Sequence, residues 1–243
     1  MTAASIPRHP VTLARLSGLA YLAIILCGLF AQLAVRGVLI DWQDAGATAG
    51  AIRDQNTLFR LGIMADLLVF GLDIVLAVTF YRLLSPVDRG LALFALSARL
   101  VMCAVMCANL LAMIAPLVLL GETPLAGQLD GPTAELAALA ALELHSEGYV
   151  LGLMVFGLHG AALGVLLFRS GYFPAVLGLL VGVSGLSYLT LGIVHFALPT
   201  LTGAGSLLLL TAALPEFAFT AWLLLAGLSR KKWDAALTDR APV

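Results

Sequence analysis

The chain has 243 residues, of which 61% are hydrophobic and 11% are charged, and its mean hydropathy is +1.04. A water-soluble globular domain is about 45–50% apolar and about 25% charged, so this composition excludes an ordinary soluble fold. The formal net charge of −1 gives no electrostatic indication of nucleic-acid binding. Membrane lipids are therefore the expected partners of most of the protein surface.

Six stretches are long and apolar enough to cross a hydrocarbon core, which takes about 20 helical residues. The alternating pattern of barrel strands is missing, so helices are the spanning structure that satisfies its own backbone. The sequence predicts an all-α, polytopic transmembrane bundle of six helices, folded as a single domain over residues 1–243. The predicted spans cover residues 13–35, 58–84, 91–120, 142–168, 173–198 and 206–228.

Basic residues divide unevenly between the two sides that six spans create. One side holds Arg8, Arg15, Arg82, Arg89, Arg169, Arg230, Lys231, Lys232 and Arg240. The other side holds Arg36 and Arg53, with Arg60 at its edge, among several acidic residues. Because Lys and Arg concentrate in cytoplasmic loops, both the N- and the C-terminus are expected in the cytoplasm.

Two loops on the side opposite the termini are long, at residues 37–57 and 121–141. Part of each is predicted to be helical, over residues 48–59 and over residues 132–144, the latter running on into the fourth span. Two interpretations stay open for these segments. They are either linker helices at the membrane surface or a lid over a cavity that opens on that side.

Ionisable side chains within the spans are the candidate functional residues, because an unpaired charge in hydrocarbon costs about 3 kcal/mol or more. Asp73 lies nine residues before Arg82, Arg99 nine after Gly90, and His159 ten before Arg169. At about 1.5 Å of rise per residue these counts place the three side chains at one level. Asp66 lies two turns from Asp73 on the same helical face. The predicted polar interior cluster comprises Asp66, Asp73, Arg99, His159 and Glu216.

Three members of this cluster also have a structural interpretation. Asp73 and Arg99 are either a buried ion pair that fixes the register of the helices or part of a functional site. His159 is either a hydrogen-bonded core residue or a titrating group.

A second layer of polar side chains is predicted near the membrane surface opposite the termini. Counting residues from the span ends places four side chains there at similar depths. This outer polar cluster comprises Arg60, His145, Glu147 and His195. The spacing between His145 and Glu147 is two residues, which is not the three or four of a helical metal motif, so no metal site is predicted. A haem pair would need matching histidines on a second helix, and His195 alone is available there. No cofactor is therefore predicted.

Several stretches of the chain resemble a bacterial family known as domain of unknown function 4386. They include Arg15-Leu16-Ser17-Gly18 at the start of the first span, Phe59-Arg60-Leu61-Gly62 at the second, Phe156-Gly157-Leu158-His159 in the fourth, and Pro215-Glu216 in the sixth. The resemblance covers nearly the whole chain. It implies a bacterial multi-pass protein of the cytoplasmic (inner) membrane and carries no assigned activity.

Three functions are compatible with these features. The leading hypothesis is a small transporter-like or ligand-binding protein whose polar interior exchanges protons at Asp66, Asp73 and His159, with a small molecule or a lipid as its ligand. The second is a membrane-embedded lipid hydrolase, metal-dependent or not, that uses the outer polar cluster. The third is a structural or accessory subunit. The sequence assigns neither a substrate nor an oligomeric state.

Overall fold

The computed structural model describes residues 7–238, apart from the side chains at positions 199, 202 and 204. Arg240, one of the basic residues used above, lies outside the described residues. Within them the chain is all-helical, and six helices are long and apolar enough to cross a membrane, so the predicted six-helix transmembrane fold is confirmed. The eight helices are α1 Pro10–Leu39, α2 Ala45–Asp54, α3 Asn56–Leu84, α4 Arg89–Leu119, α5 Gly131–Ser170, α6 Ala175–Ala197, α7 Gly205–Leu225 and α8 Arg230–Thr238.

The first helix is longer than the hydropathy pattern predicts. It continues beyond residue 35, through a π-helical segment, Phe30–Arg36, into a last α-helical turn, Gly37–Leu39. Arg36, which the sequence places just beyond the predicted end of the span at residue 35, is therefore a helical residue that is 8% exposed.

Of the two helical segments predicted within the long loops, one is broken and the other is present. The helix predicted over residues 48–59 is broken at Gln55, where the backbone leaves the helical region with φ −116° and ψ 39°, so that α2 and α3 are separate helices. The helix predicted over residues 132–144 is present and continuous with the fourth span, because α5 begins at Gly131. Asp130 precedes this helix, and its hydrogen bond from the Thr133 side chain holds the pKa of Asp130 below its ordinary value.

Helix α5 is too long to be a simple span. Its 40 residues extend about 60 Å, roughly twice the thickness of a hydrocarbon core. Part of α5 must therefore lie outside the hydrocarbon.

The described chain divides into two compact units. Unit 1 comprises residues 7–22, 72–103 and 150–238, and its core is rich in aromatic side chains. Tyr21, Phe80 and Phe219 pack with ring centroids 5.7–6.4 Å apart. Trp233 of α8 is 1% exposed and packs edge-on against Tyr172 at 4.9 Å, which fixes the short C-terminal helix to this core.

Unit 2 comprises residues 23–71 and 104–149. Val35 packs directly on the backbone of α3, because a Cβ atom at Gly62 would lie 2.8 Å from the Val35 Cγ1 atom. The Asp44 carboxylate accepts a hydrogen bond from the Ala47 amide at 2.8 Å and so caps α2. These contacts order the end of α1 and the start of α3.

Small residues bring α5 and α6 of unit 1 into backbone contact, a type of packing that is common between membrane helices. A Cβ atom at Gly185 would lie 2.6 Å from the carbonyl carbon of Gly160 and 2.7 Å from the carbonyl oxygen of Gly157. At Gly182, one turn earlier on α6, the nearest atom would be the Gly164 Cα at 3.9 Å. The two glycines therefore differ in whether a side chain fits.

The G185A variant is expected to lose about 1–3 kcal/mol of unfolding free energy, because the new methyl group forces the two backbones apart. G182A is the matched control on the same helix. It is expected to be neutral or up to about 1 kcal/mol more stable, since alanine favours helix and meets open space. Denaturant titration of the purified protein in detergent measures both. Equal losses in the two variants would contradict this description of the helix contact.

Candidate functional site

The first candidate site is built around Arg99 of α4, whose exposure is 0%. Its Nε donates to the Oδ1 atom of Asp73 on α3 at 3.0 Å, and its Nη2 donates to the same oxygen. The carboxylate is also buried, at 4% exposure. A charge-assisted bond of this kind is the means by which a guanidinium is kept inside a hydrophobic core.

His159 of α5 binds the third nitrogen of the Arg99 guanidinium. The Arg99 Nη1 atom lies 3.0 Å from the His159 Nε2, and the His159 Nδ1 lies 2.8 Å from the carbonyl oxygen of Ala95. Since a guanidinium only donates and a carbonyl only accepts, Nε2 must accept and Nδ1 must carry the proton. The geometry therefore assigns a neutral imidazole with its proton on Nδ1, and it links α3, α4 and α5.

Aromatic rings enclose this polar group. The central carbon of the Arg99 guanidinium lies 5.4 Å from the Tyr21 ring centroid, 5.8 Å from that of Phe80 and 5.2 Å from that of Phe156. Contacts over ring faces stabilise a cation that has left water. The cavity beside His159 measures about 10 Å³, which is at the lower limit for one water molecule. This part of the site has no room for an organic ligand.

Glu216 of α7 is the other acidic group of unit 1 near this centre. It is half-buried, and it interacts electrostatically with both Arg99 and Asp73. Its hydrogen-bond partners are hydroxyl groups, those of Tyr188 and of Ser184, the latter at a long 3.4 Å. Two carboxyl groups therefore interact with one guanidinium. One proton on a carboxyl group brings the cluster to zero net charge.

The second candidate site lies in unit 2, around Arg36. Its Nη1 donates to Oδ2 of Asp66 at 2.6 Å, and its Nε donates to the Gln32 side-chain oxygen at 2.9 Å. The guanidinium also lies 5.9 Å from the centroid of the Tyr149 ring. Gln32 and Arg36 both belong to the π-helical segment, a type of distortion that occurs frequently at functional sites.

His145 of α5 belongs to the same unit and interacts electrostatically with Arg36 and Asp66. Its Nδ1 lies 3.2 Å from both the carbonyl oxygen and the side-chain nitrogen of Asn109, and that nitrogen donates to the His145 carbonyl oxygen at 2.9 Å. Gly148 makes room for this contact, because a Cβ atom there would overlap the Asn109 amide. The His145 ring is thus held from one side.

The other ring nitrogen of His145 is different. Nε2 is buried and has no hydrogen-bond partner among the described residues. Whichever nitrogen carries the proton, this atom offers an unused donor or acceptor inside the protein. A buried polar atom without a partner costs about 1–3 kcal/mol, so its persistence requires an explanation.

The remaining members of the outer polar cluster are not drawn inward. Arg60 and Glu147 are exposed, whereas ionisable residues in the spans are expected to face the interior. The Arg60 Nε donates a hydrogen bond to the side-chain oxygen of Asn56, on the same helix, at 2.6 Å. His195 is half-buried, belongs to unit 1 and meets Phe196 edge-on at 4.9 Å. No three His, Cys, Asp or Glu side chains within residues 7–238 gather in a way that could hold a metal ion.

A family model described as "Domain of unknown function (DUF4386)" matches residues 16–227. The chain belongs to this family. The matched region of the DUF4386 protein contains every residue of both candidate sites. No curated protein and no solved structure matches the chain.

The sites of this DUF4386 protein include residues that sequence reasoning missed. Arg36 and Gln32 are not among the sequence candidates, because the predicted span ends at residue 35 and Arg36 counts there only as a charge on the side opposite the termini. Their four-residue spacing, which matches one helical turn, is the signal that predicts their contact. Asn109 and Tyr149 gave no such signal, since neither is ionisable in the ordinary range.

Removing one charge of the buried pair tests its structural contribution. D73N is expected to lower the unfolding free energy by about 3–5 kcal/mol, because it leaves the Arg99 guanidinium buried without a counter-charge. The double variant D73L/R99M is expected to recover most of that loss, since it removes both charges and keeps apolar volume. Denaturant titration in detergent measures both. A double variant as unstable as D73N would argue against an ion pair whose partners depend on each other.

Proposed function

We propose that this DUF4386 protein is a small transporter-like or ligand-binding protein of the bacterial inner membrane whose polar interior exchanges protons. Its central group is His145, which takes up a proton or a hydrogen bond from a small polar ligand at Nε2. The observation that carries the proposal is the buried Nε2 atom without a partner among the described residues. The neighbouring Arg36–Asp66 ion pair supplies a fixed dipole in the same unit.

The other interior groups are less suited to proton exchange. Asp66 and Asp73 each hold a buried arginine, and both ring nitrogens of His159 are already bonded. Moving a proton onto any of the three would break an existing interaction in a low-dielectric environment, where such interactions are strong. The Arg99 centre therefore serves to hold α3, α4 and α5 together.

Glu216 is the second group that we assign to proton exchange. Glu216 and Asp73 both interact with the Arg99 guanidinium. A proton on Glu216 therefore brings the net charge of these three groups to zero without breaking the Arg99–Asp73 bond. The Ser184 and Tyr188 hydroxyls can donate to a carboxylate and can equally accept from a carboxylic acid. Both protonation states of Glu216 can thus find hydrogen-bond partners.

We place the N- and C-termini in the cytoplasm. Since Arg36 is buried in α1, it no longer counts among loop charges, and the side opposite the termini keeps only Arg53 and Arg60. The excess of basic residues on the side of the termini is therefore larger than the sequence count indicates, which supports this orientation.

The lipid hydrolase has no comparable support. Its candidate residues include Arg60 and Glu147, which are exposed, and the described residues contain no metal-binding group of three. No observation favours it as a second proposal.

Nitrogen NMR of the full chain, labelled with ¹⁵N-histidine in lipid nanodiscs, tests the role of His145. Its Nε2 resonance is expected to respond when the sample is acidified from about pH 8 to about pH 4, because the atom is free to bind a proton. The H145Q variant assigns the signal by its loss.

E143Q is the matched control, since it removes an exposed titratable group from the same helix. It is expected to leave the response of the His145 signal intact. A His145 signal that stays constant over the whole range would overturn the proposal.

A further inference from the structure

An open pocket of about 530 Å³ lies in unit 1, between the start of α1 and the end of α3. Its polar lining consists of Arg8, His9, Thr12 and Arg82, and its apolar lining includes Leu13 and Leu16. Most of these residues precede the region that matches the family model, which begins at residue 16. This basic pocket is separate from both polar sites described above.

The charged side chains that line the basic pocket are basic. Among the residues that the structure describes, two guanidinium groups and one imidazole line it, and no carboxylate does. Neither the Arg8 nor the Arg82 side chain forms an ion pair with a described residue, whereas other arginines of unit 1 do: Arg230 pairs with Asp234 at 2.9 Å and Arg169 approaches Asp88 at 3.8 Å. The uncompensated positive charge favours an anion.

The wall of the pocket is fixed rather than loose. The Arg230 guanidinium donates to the Arg8 carbonyl oxygen at 3.1 Å, while Asp234 occupies its other side. Pro7, which also lines the pocket, is buried. The segment that carries Arg8 is therefore held against α8.

Leu13 and Leu16 continue the pocket along α1, a membrane span. Leu16 is 55% exposed, so its side chain faces the acyl region rather than the protein core. A ligand that fits must be anionic at the end of the helix and apolar along it. A phosphodiester headgroup with its attached chains has this arrangement, and guanidinium groups bind phosphate oxygens through paired hydrogen bonds.

We propose that the basic pocket binds the phosphate group of an anionic phospholipid between Arg8 and Arg82, with an acyl chain along Leu13 and Leu16. Basic pockets at the cytoplasmic ends of transmembrane helices are suited to such headgroups. The site requires neither His145 nor the proton exchange proposed above.

Lipid titration of the full chain in a neutral detergent, followed by native mass spectrometry, tests this site. Phosphatidylglycerol is expected to bind more tightly than phosphatidylcholine with the same acyl chains. R8Q and R82Q, measured separately, are each expected to weaken phosphatidylglycerol binding about fivefold, which corresponds to one basic residue near an anionic headgroup. Phosphatidylcholine binding should change little.

R89Q is the matched control. It removes the same charge at an exposed position of unit 1 outside the pocket and is expected to leave phosphatidylglycerol binding unchanged. Equal losses in R89Q, R8Q and R82Q would show a diffuse electrostatic effect and overturn the proposal, as would equal binding of the two lipids to the unaltered chain. Inorganic phosphate that displaces phosphatidylglycerol at comparable concentration would assign the site to a free anion and also overturn it.

Discussion

A permanent positive charge inside a hydrophobic protein is the constraint on which the rest of unit 1 depends. Arg99 cannot lose its proton, and a charge at the centre of a spanning helix costs about 3 kcal/mol or more unless it is paired. The chain meets this requirement with a carboxylate from α3, an imidazole from α5 and three aromatic rings. Because these partners come from different helices, satisfying Arg99 also determines how α3, α4 and α5 register against each other. The glycine contacts between α5 and α6 extend that arrangement without any polar group.

The two buried arginines illustrate different uses of the same chemistry. The polar atoms around Arg99 are satisfied and the adjacent cavity is about the size of one water molecule, which suits a role in stability and specificity. Arg36 is also paired, yet the neighbouring His145 retains a nitrogen without a partner among the described residues. An incompletely satisfied buried polar group costs stability, so its presence calls for an explanation, and a role in function is one. For that reason the functional proposal rests first on His145 of unit 2, with Glu216 of unit 1 as its second group, and the structural role is assigned to the contacts among Asp73, Arg99 and His159.

Hydropathy and helical rise predicted much of this arrangement. The number of spans follows from composition, and counting residues from the span ends placed Asp73, Arg99 and His159 at one level, where their side chains are in contact. Asp66 was grouped with Asp73 on the basis of a shared helical face, whereas its partner is Arg36. The sequence does not predict that contact, because α1 continues through a π-helical segment beyond the end of the apolar run, and no hydropathy pattern reports a change in backbone hydrogen bonding. The direction of a polar side chain, as at exposed Arg60 and Glu147, likewise depends on neighbouring helices whose rotation the sequence does not reveal.

Solid-state NMR of the full chain in lipid, with ¹⁵N in histidine and arginine, tests the Arg99 centre most directly. The hydrogen-bond geometry predicts that the His159 Nδ1 carries a proton, that its Nε2 does not, and that Nε2 shows a contact with the Arg99 guanidinium. A His159 ring that is protonated at Nε2, or that shows no contact with Arg99, would contradict the arrangement. The guanidinium would then lack its partner on α5, and the polar link between the three helices would not exist.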